Sequence, residues 1–232
     1  MATVAASPAA VPATPAVDPG GVVVLPEVSW ELYCQLRDAE GNDHVRMTYL
    51  DGELTLMSPA LRHDEPAILL TQVVRALATV EGREIRSVGT TTLRRAEAKG
   101  GPAAGKEPDA AFYLDADELR MRGRKDLDLE VDPPPTLAIE VDSSRDSTSS
   151  LSIYARLGVP EVWRHSTSTR TTWIGRLDGN VYWPVERSVA FPRLTPDLIR
   201  QALDRLEVGD LGEIAWFEWL KGWARAQPAP PA

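Results

Sequence analysis

Cysteine is nearly absent. Cys34 stands alone in 232 residues, which excludes an intrachain disulfide and a thiolate zinc site and suits a reducing cytoplasm. Positive charge is also short: 25 Lys and Arg face 34 Asp and Glu, a formal charge of −9. The field of the whole molecule therefore repels polyanions at long range, which argues against a nonspecific nucleic-acid coat protein. An enzyme acting on DNA survives that argument, because carboxylates gathered to hold metal add to the negative count and bound cations offset part of it. No apolar run reaches the about 20 residues of a membrane helix, so no membrane partner is expected. Residues 2–26 lack the basic start and unbroken apolar core of a signal peptide. No internal repeat is present, and the expected location is cytoplasmic.

What the chain does have is apolar substance, 43% of its residues, enough at this length for one domain with a full core. The opening stretch, rich in Ala, Pro and Val, offers few donors and little surface to bury. Residues 1–26 are accordingly read as a disordered tail, 27–224 as the folded domain and 225–232 as a second tail. Ser29 predicts a helix cap before an apolar face of Trp30, Tyr33, Cys34 and Leu36. Val45 to Met57 predicts two strands around Asp51-Gly52, with Glu53 opposite the apolar face. Helical spacing runs from Glu65 to Ala78, where Pro66 is tolerable in a first turn. Strands are predicted at 85–93, 110–114 and 136–141, then a helix over 148–157 closed by Gly158 and a strand over 159–163, in a central mixed sheet. A hairpin turning at Asp178-Gly179 and two helices, one begun by Thr195-Pro196 and one rich in Trp, complete the body. The Trp cluster reads as core or dimer interface rather than a base-stacking platform, since no basic residues interleave with it.

Three stretches carry chemistry: Gly52-Glu53, Pro108-Asp109 and Leu137-Ala138-Ile139-Glu140-Val141-Asp142. Each sets a carboxylate in or at the end of a strand-like apolar run, where an unpaired charge is costly. Glu140 and Asp142, two apart on one strand, face the same side within reach of one ion. With Asp109 they make a plausible site for Mg²⁺, which takes oxygen ligands and usually keeps several waters. Spacing alone does not separate this from carboxylates serving as turn caps and surface charge.

Gly52-Glu53 with Met57-Ser58-Pro59 and His63, then Pro108-Asp109, Ile139-Glu140-Val141 and Tyr154-Ala155-x-x-Gly158-Val159-Pro160-Glu161-x-Trp163, together resemble the Uma-two family of restriction-endonuclease-like proteins, in the PD-(D/E)xK nuclease-like superfamily. The likeness covers about residues 28–223. It implies an α/β restriction-endonuclease-like core with a mixed central β-sheet flanked by helices, Mg²⁺-dependent (or Mn²⁺-dependent) hydrolysis of DNA phosphodiester bonds, and often a homodimer. By the same resemblance Asp109 and Glu140 are metal ligands, with the Val141 carbonyl nearby and Asp142 as a possible addition. Glu53 matches the upstream acid. His63 either orients a carboxylate or touches substrate, or is simply a helix-start residue bonding a backbone carbonyl.

One part of the pattern is missing. The superfamily's lysine follows the second acid by two residues, and in many members of this family it stands four before the tyrosine. Here those positions hold Asp142 and Ser150, and neither supplies positive charge for a pentavalent phosphate. Lys106 and Arg145 are the candidates to bring a cation instead, although solvated loop charge is the plainer reading of both. A Mg²⁺-dependent endonuclease acting on DNA, weakened without its lysine, is thus the leading expectation. The alternative is a noncatalytic nuclease-fold protein used for binding or assembly, and a hydrolase of other substrates has only the carboxylates in its favour.

Overall fold

The computed structural model describes residues 21–57, 61–96, 103–142, 148–207 and 211–227. Its elements are β1 (Val22–Leu25), α1 (Trp30–Asp38), β2 (Arg46–Leu50), β3 (Glu53–Met57), α2 (Leu61–Glu81), β4 (Ile85–Ser87), β5 (Leu93–Arg95), β6 (Ala104–Lys106), β7 (Ala110–Leu114), α3 (Asp115–Met121), β8 (Leu137–Asp142), α4 (Thr148–Leu157), β9 (Glu161–Ser166), β10 (Thr171–Asp178), β11 (Val181–Pro184), α5 (Pro196–Glu207) and α6 (Glu213–Ala226). This is a mixed α/β fold with two sheets, ordered β1-β3-β2-β6-β5 and β11-β10-β9-β8-β7-β4.

The second sheet is the mixed one. Its parallel pair, β8 and β9, is joined through α4, because parallel neighbours need a crossover. The helix ends at Gly158, whose φ of +80° is the left-handed conformation that glycine adopts without a Cβ penalty. Strand alternation then sorts the core. Leu137, Ile139 and Val141 face α2, α5 and α6, while Ala138 faces α4, Leu93 and Ala104. Helix α4 thus lies between the two sheets, and Glu140, in step with Ala138, points to that same interior side.

Several expected boundaries move. Val22–Leu25, inside the stretch read as a tail, is a strand that pairs with β3 from Val22↔Met57 to Leu25↔Leu54, and α6 runs to Ala226, two residues past the expected edge of the domain. Helix α2 begins at Leu61, so Pro66 sits inside it rather than in its first turn. The lost hydrogen bond is tolerated because Ala67, Leu69, Leu70, Val73 and Leu77 are buried on the mixed sheet, and packing outweighs propensity. The strand predicted over 85–93 is two strands in different sheets, divided at Gly89 with φ +57°. β6 and α3 were not predicted. Trp216 is fully buried, its indole N–H donating to Ala202 O at 2.8 Å, as a core residue should.

Pro160-Glu161-x-Trp163 turns out to be a folding element. The Glu161 carboxylate, 1% exposed, accepts from Trp163 Nε1 at 2.6 Å and from Ser188 Oγ at 2.6 Å. It also accepts from the amides of Val189 and Ala190. It thereby pins the segment after β11 to the central sheet.

Candidate active site

The site lies where the chain passes from one sheet to the other. β6 ends at Lys106, and after Glu107 and Pro108 the chain enters the mixed sheet at Asp109, whose N–H donates to Ile139 O at 3.1 Å. One short segment therefore delivers a cation from the antiparallel sheet and a carboxylate to the mixed one.

Both Asp109 oxygens are engaged. Oδ2 accepts from the Val141 N–H at 2.7 Å and Oδ1 from the Arg46 guanidinium at 2.6 Å. The neighbouring strand presents Glu140, whose Oε2 lies 3.2 Å from Lys106 Nζ and whose Oε1 accepts from the Tyr154 hydroxyl. Lys106 also lies 5.8 Å from the centroid of the Tyr154 ring, so α4 supplies both a hydrogen bond to the carboxylate and an aromatic wall for the ammonium.

Burial pushes the Glu140 carboxyl up to about 7; Lys106 pulls against that rise, the charge of Asp109 adds to it, and the Tyr154 hydrogen bond opposes it. A folded-state pKa above the ordinary carboxyl value of 4.5 means stability that is complete below the unfolded pKa and lost as pH rises through the folded one. In chelator, the melting temperature of the parent should fall relative to that of Glu140→Gln from pH 5 to pH 8, the comparison removing the opposite contribution of the buried His165, whose pKa is lowered. A difference between the two proteins that does not fall with pH over this range would contradict the assignment.

Asp142 has a cationic partner of its own. Its carboxylate pairs with Arg164 at 3.0 Å, and Arg164 stands opposite Glu140 in the parallel register. Among the described residues no group of three or more Asp, Glu, His or Cys forms a ready metal cage. Glu53 is exposed and pairs with Leu50 at the far end of the β2–β3 hairpin from Arg46, four residues or roughly 13 Å along the strand. The structure does not bring it to Asp109. His63 belongs to α2, but its side chain lies outside the described residues, as do Ser58, Pro59 and Arg145.

Ser150, at one expected lysine position, is buried on α4. Lys106 reaches Glu140, and it belongs to a strand with only 10% of its side chain exposed, which overturns its reading as solvated loop charge. Arg46 escaped sequence reasoning, because only the pairing of β2 with β6 brings it beside the crossing segment. Arg164 lies next to the buried Trp163, and strand alternation was the available signal for its direction.

A central mixed sheet flanked by helices, with Asp109 immediately before β7 and Glu140 on the neighbouring β8, defines a restriction-endonuclease-like α/β protein. The chain belongs to the Uma2 family, described as "Putative restriction endonuclease", whose pattern matches residues 30–207. It is also similar to the crystal structure of a putative nuclease belonging to DUF820 from Anabaena variabilis, with 16% identity and a TM-score of 0.41 over 75% of this chain and 90% of that one. No curated protein matches the chain.

Proposed function

We propose that the chain is a Mg²⁺-dependent (or Mn²⁺-dependent) endonuclease that hydrolyses DNA phosphodiester bonds, with Lys106 in the office of the missing lysine. The observation that carries this reading is the 3.2 Å approach of Lys106 Nζ to Glu140 beside Asp109. The donor set suits a hard cation, since Asp109, Glu140 and the Val141 carbonyl offer oxygen alone. When bound there, the metal would polarise a phosphoryl oxygen and acidify a water.

The residues of the chain do the rest. Asp109 and Glu140 would hold the cation. Val141 N–H and Tyr154 orient those two carboxylates from behind, as outer hydrogen bonds do in metal sites. Lys106, held between Glu140 and the Tyr154 ring, places an ammonium where negative charge develops on phosphate. Asp142 is tied to Arg164 and stands one step back. The enzyme would act on DNA in the cytoplasm, as a homodimer.

The test is cleavage of supercoiled and single-stranded DNA with Mg²⁺ and with Mn²⁺, beside Asp109→Ala and Glu140→Ala. Cutting by the parent that disappears in both variants is expected. Equal cutting by parent and variants would assign the activity to a contaminant. A folded protein that cuts with neither metal would leave a nuclease fold used for binding or assembly.

A further inference from the structure

Beside the crossing segment lies an open cleft of about 710 Å³. Its wall brings together basic residues that are far apart in sequence: Arg37 from α1, Arg86 from β4, Arg94 from β5, and Arg124 and Lys125 from the turn after α3. Asp38, Asp43 and Asp126 are the lining carboxylates, and Glu107 and Asp132 pair with Arg37 and Arg124 from behind the lining, so the cleft is formally neutral on a chain of −9. Local relief from the negative field of the whole molecule favours a polyanion there over elsewhere on the surface.

The pairing of these cations decides which are available. Arg37 is committed to Glu107 at 2.6 Å and Arg124 to Asp132 at 2.7 Å. Arg86 is held by the backbone carbonyls of Met121 and Arg124, an arrangement that fixes the guanidinium while leaving its charge without a carboxylate partner among the described residues. Arg94 meets Asp38 at 2.8 Å on an exposed face, where an ion pair is worth little and exchanges readily. Lys125 is exposed at the rim. The cleft also adjoins the site: Arg37 and Thr92, both in its lining, bond the Glu107 carboxylate, and Glu107 stands between Lys106 and Asp109 in the crossing segment.

We propose that this cleft binds the sugar-phosphate backbone of a nucleic-acid strand next to the bond being cut, with Arg86, Arg94 and Lys125 as the side chains that meet its phosphates. This rests on the nuclease reading for its choice of polyanion. The cleft positions the strand and carries no sequence readout, since contacts to phosphate do not distinguish bases.

The experiment is fluorescence anisotropy of a short labelled DNA duplex with the full chain in chelator, across a salt series, for the parent, Lys125→Glu and Arg94→Gln. Each variant should bind more weakly on any sequence, and the slope of log affinity against log salt should shrink by about one for each phosphate that is no longer neutralised. Circular dichroism confirms that the variants are folded. Parent-like affinity and slope in both variants, or no binding by the parent, would overturn the cleft. Complete displacement of the duplex by a mononucleotide at equal phosphate concentration would assign the cleft to a small ligand and overturn the strand. Binding is read without catalysis, so the two readings fail separately. A parent that binds through the cleft yet never cuts removes the nuclease alone, and one that cuts while the variants bind normally removes the cleft alone.

Discussion

Replacing Lys106 with methionine is expected to lower DNA cleavage by about 10²–10³-fold, the scale on which a positioned donor to a developing charge contributes. Methionine keeps much of the apolar stem against Tyr154 and removes only the ammonium, so loss of packing is small. A second readout reports the ion pair itself. Without Lys106 the Glu140 carboxyl loses the cation that pulls its pKa down, so in chelator its titration should move above 7, and a titration left in place would mean that Lys106 does not act at Glu140. Lys106→Arg should restore the titration but only part of the cleavage, because a planar guanidinium cannot occupy the compact ammonium position. Full cleavage by Lys106→Met would return the missing lysine to the unsolved parts of this chain.

The largest stability effect is expected from Glu161→Ala. Removing its carboxylate strands the Trp163 indole N–H, the Ser188 hydroxyl and two backbone amides, and a buried unsatisfied donor costs about 1–3 kcal/mol. A loss of at least about 3 kcal/mol by urea unfolding is the expected outcome. Glu161→Gln should be milder, since one amide oxygen can still accept. A change under about 1 kcal/mol for the alanine variant would mean that water replaces the carboxylate.

These two residues mark the reach and the limit of sequence reasoning. Elements set by local pattern were legible: Ser29 caps α1 through its hydroxyl, which accepts from Leu32 N–H at 3.2 Å, and the Asp178-Gly179 turn joins β10 to β11 as the expected hairpin. Asp109 and Glu140 were legible too, as carboxylates in or at the end of strand-like apolar runs, and the structure puts Asp109 immediately before β7 and Glu140 on the neighbouring β8. What failed was non-local. The three-residue strand β6 has no periodicity to detect, and its pairing with β2 alone explains why Lys106 is buried and Arg46 reaches Asp109. The i, i+2 spacing of Glu140 and Asp142 correctly put both on one face, but it could not foresee Arg164 on the neighbouring strand drawing Asp142 aside. Around Glu161 the stretch Pro160-Glu161-x-Trp163 was legible as a motif, while its work, holding the segment at 188–190, depended on chain from beyond the motif.

The Arg46–Asp109 contact has a thermodynamic consequence for any incoming ion. Because Oδ1 already has a cationic neighbour at 2.6 Å, an incoming cation would share that oxygen with the guanidinium or displace it. Either way it would meet positive charge already in place, and a monovalent ion would gain less against that repulsion than a divalent one. An arginine from the opposite sheet would thus set the lower bound on the charge an ion needs to bind there.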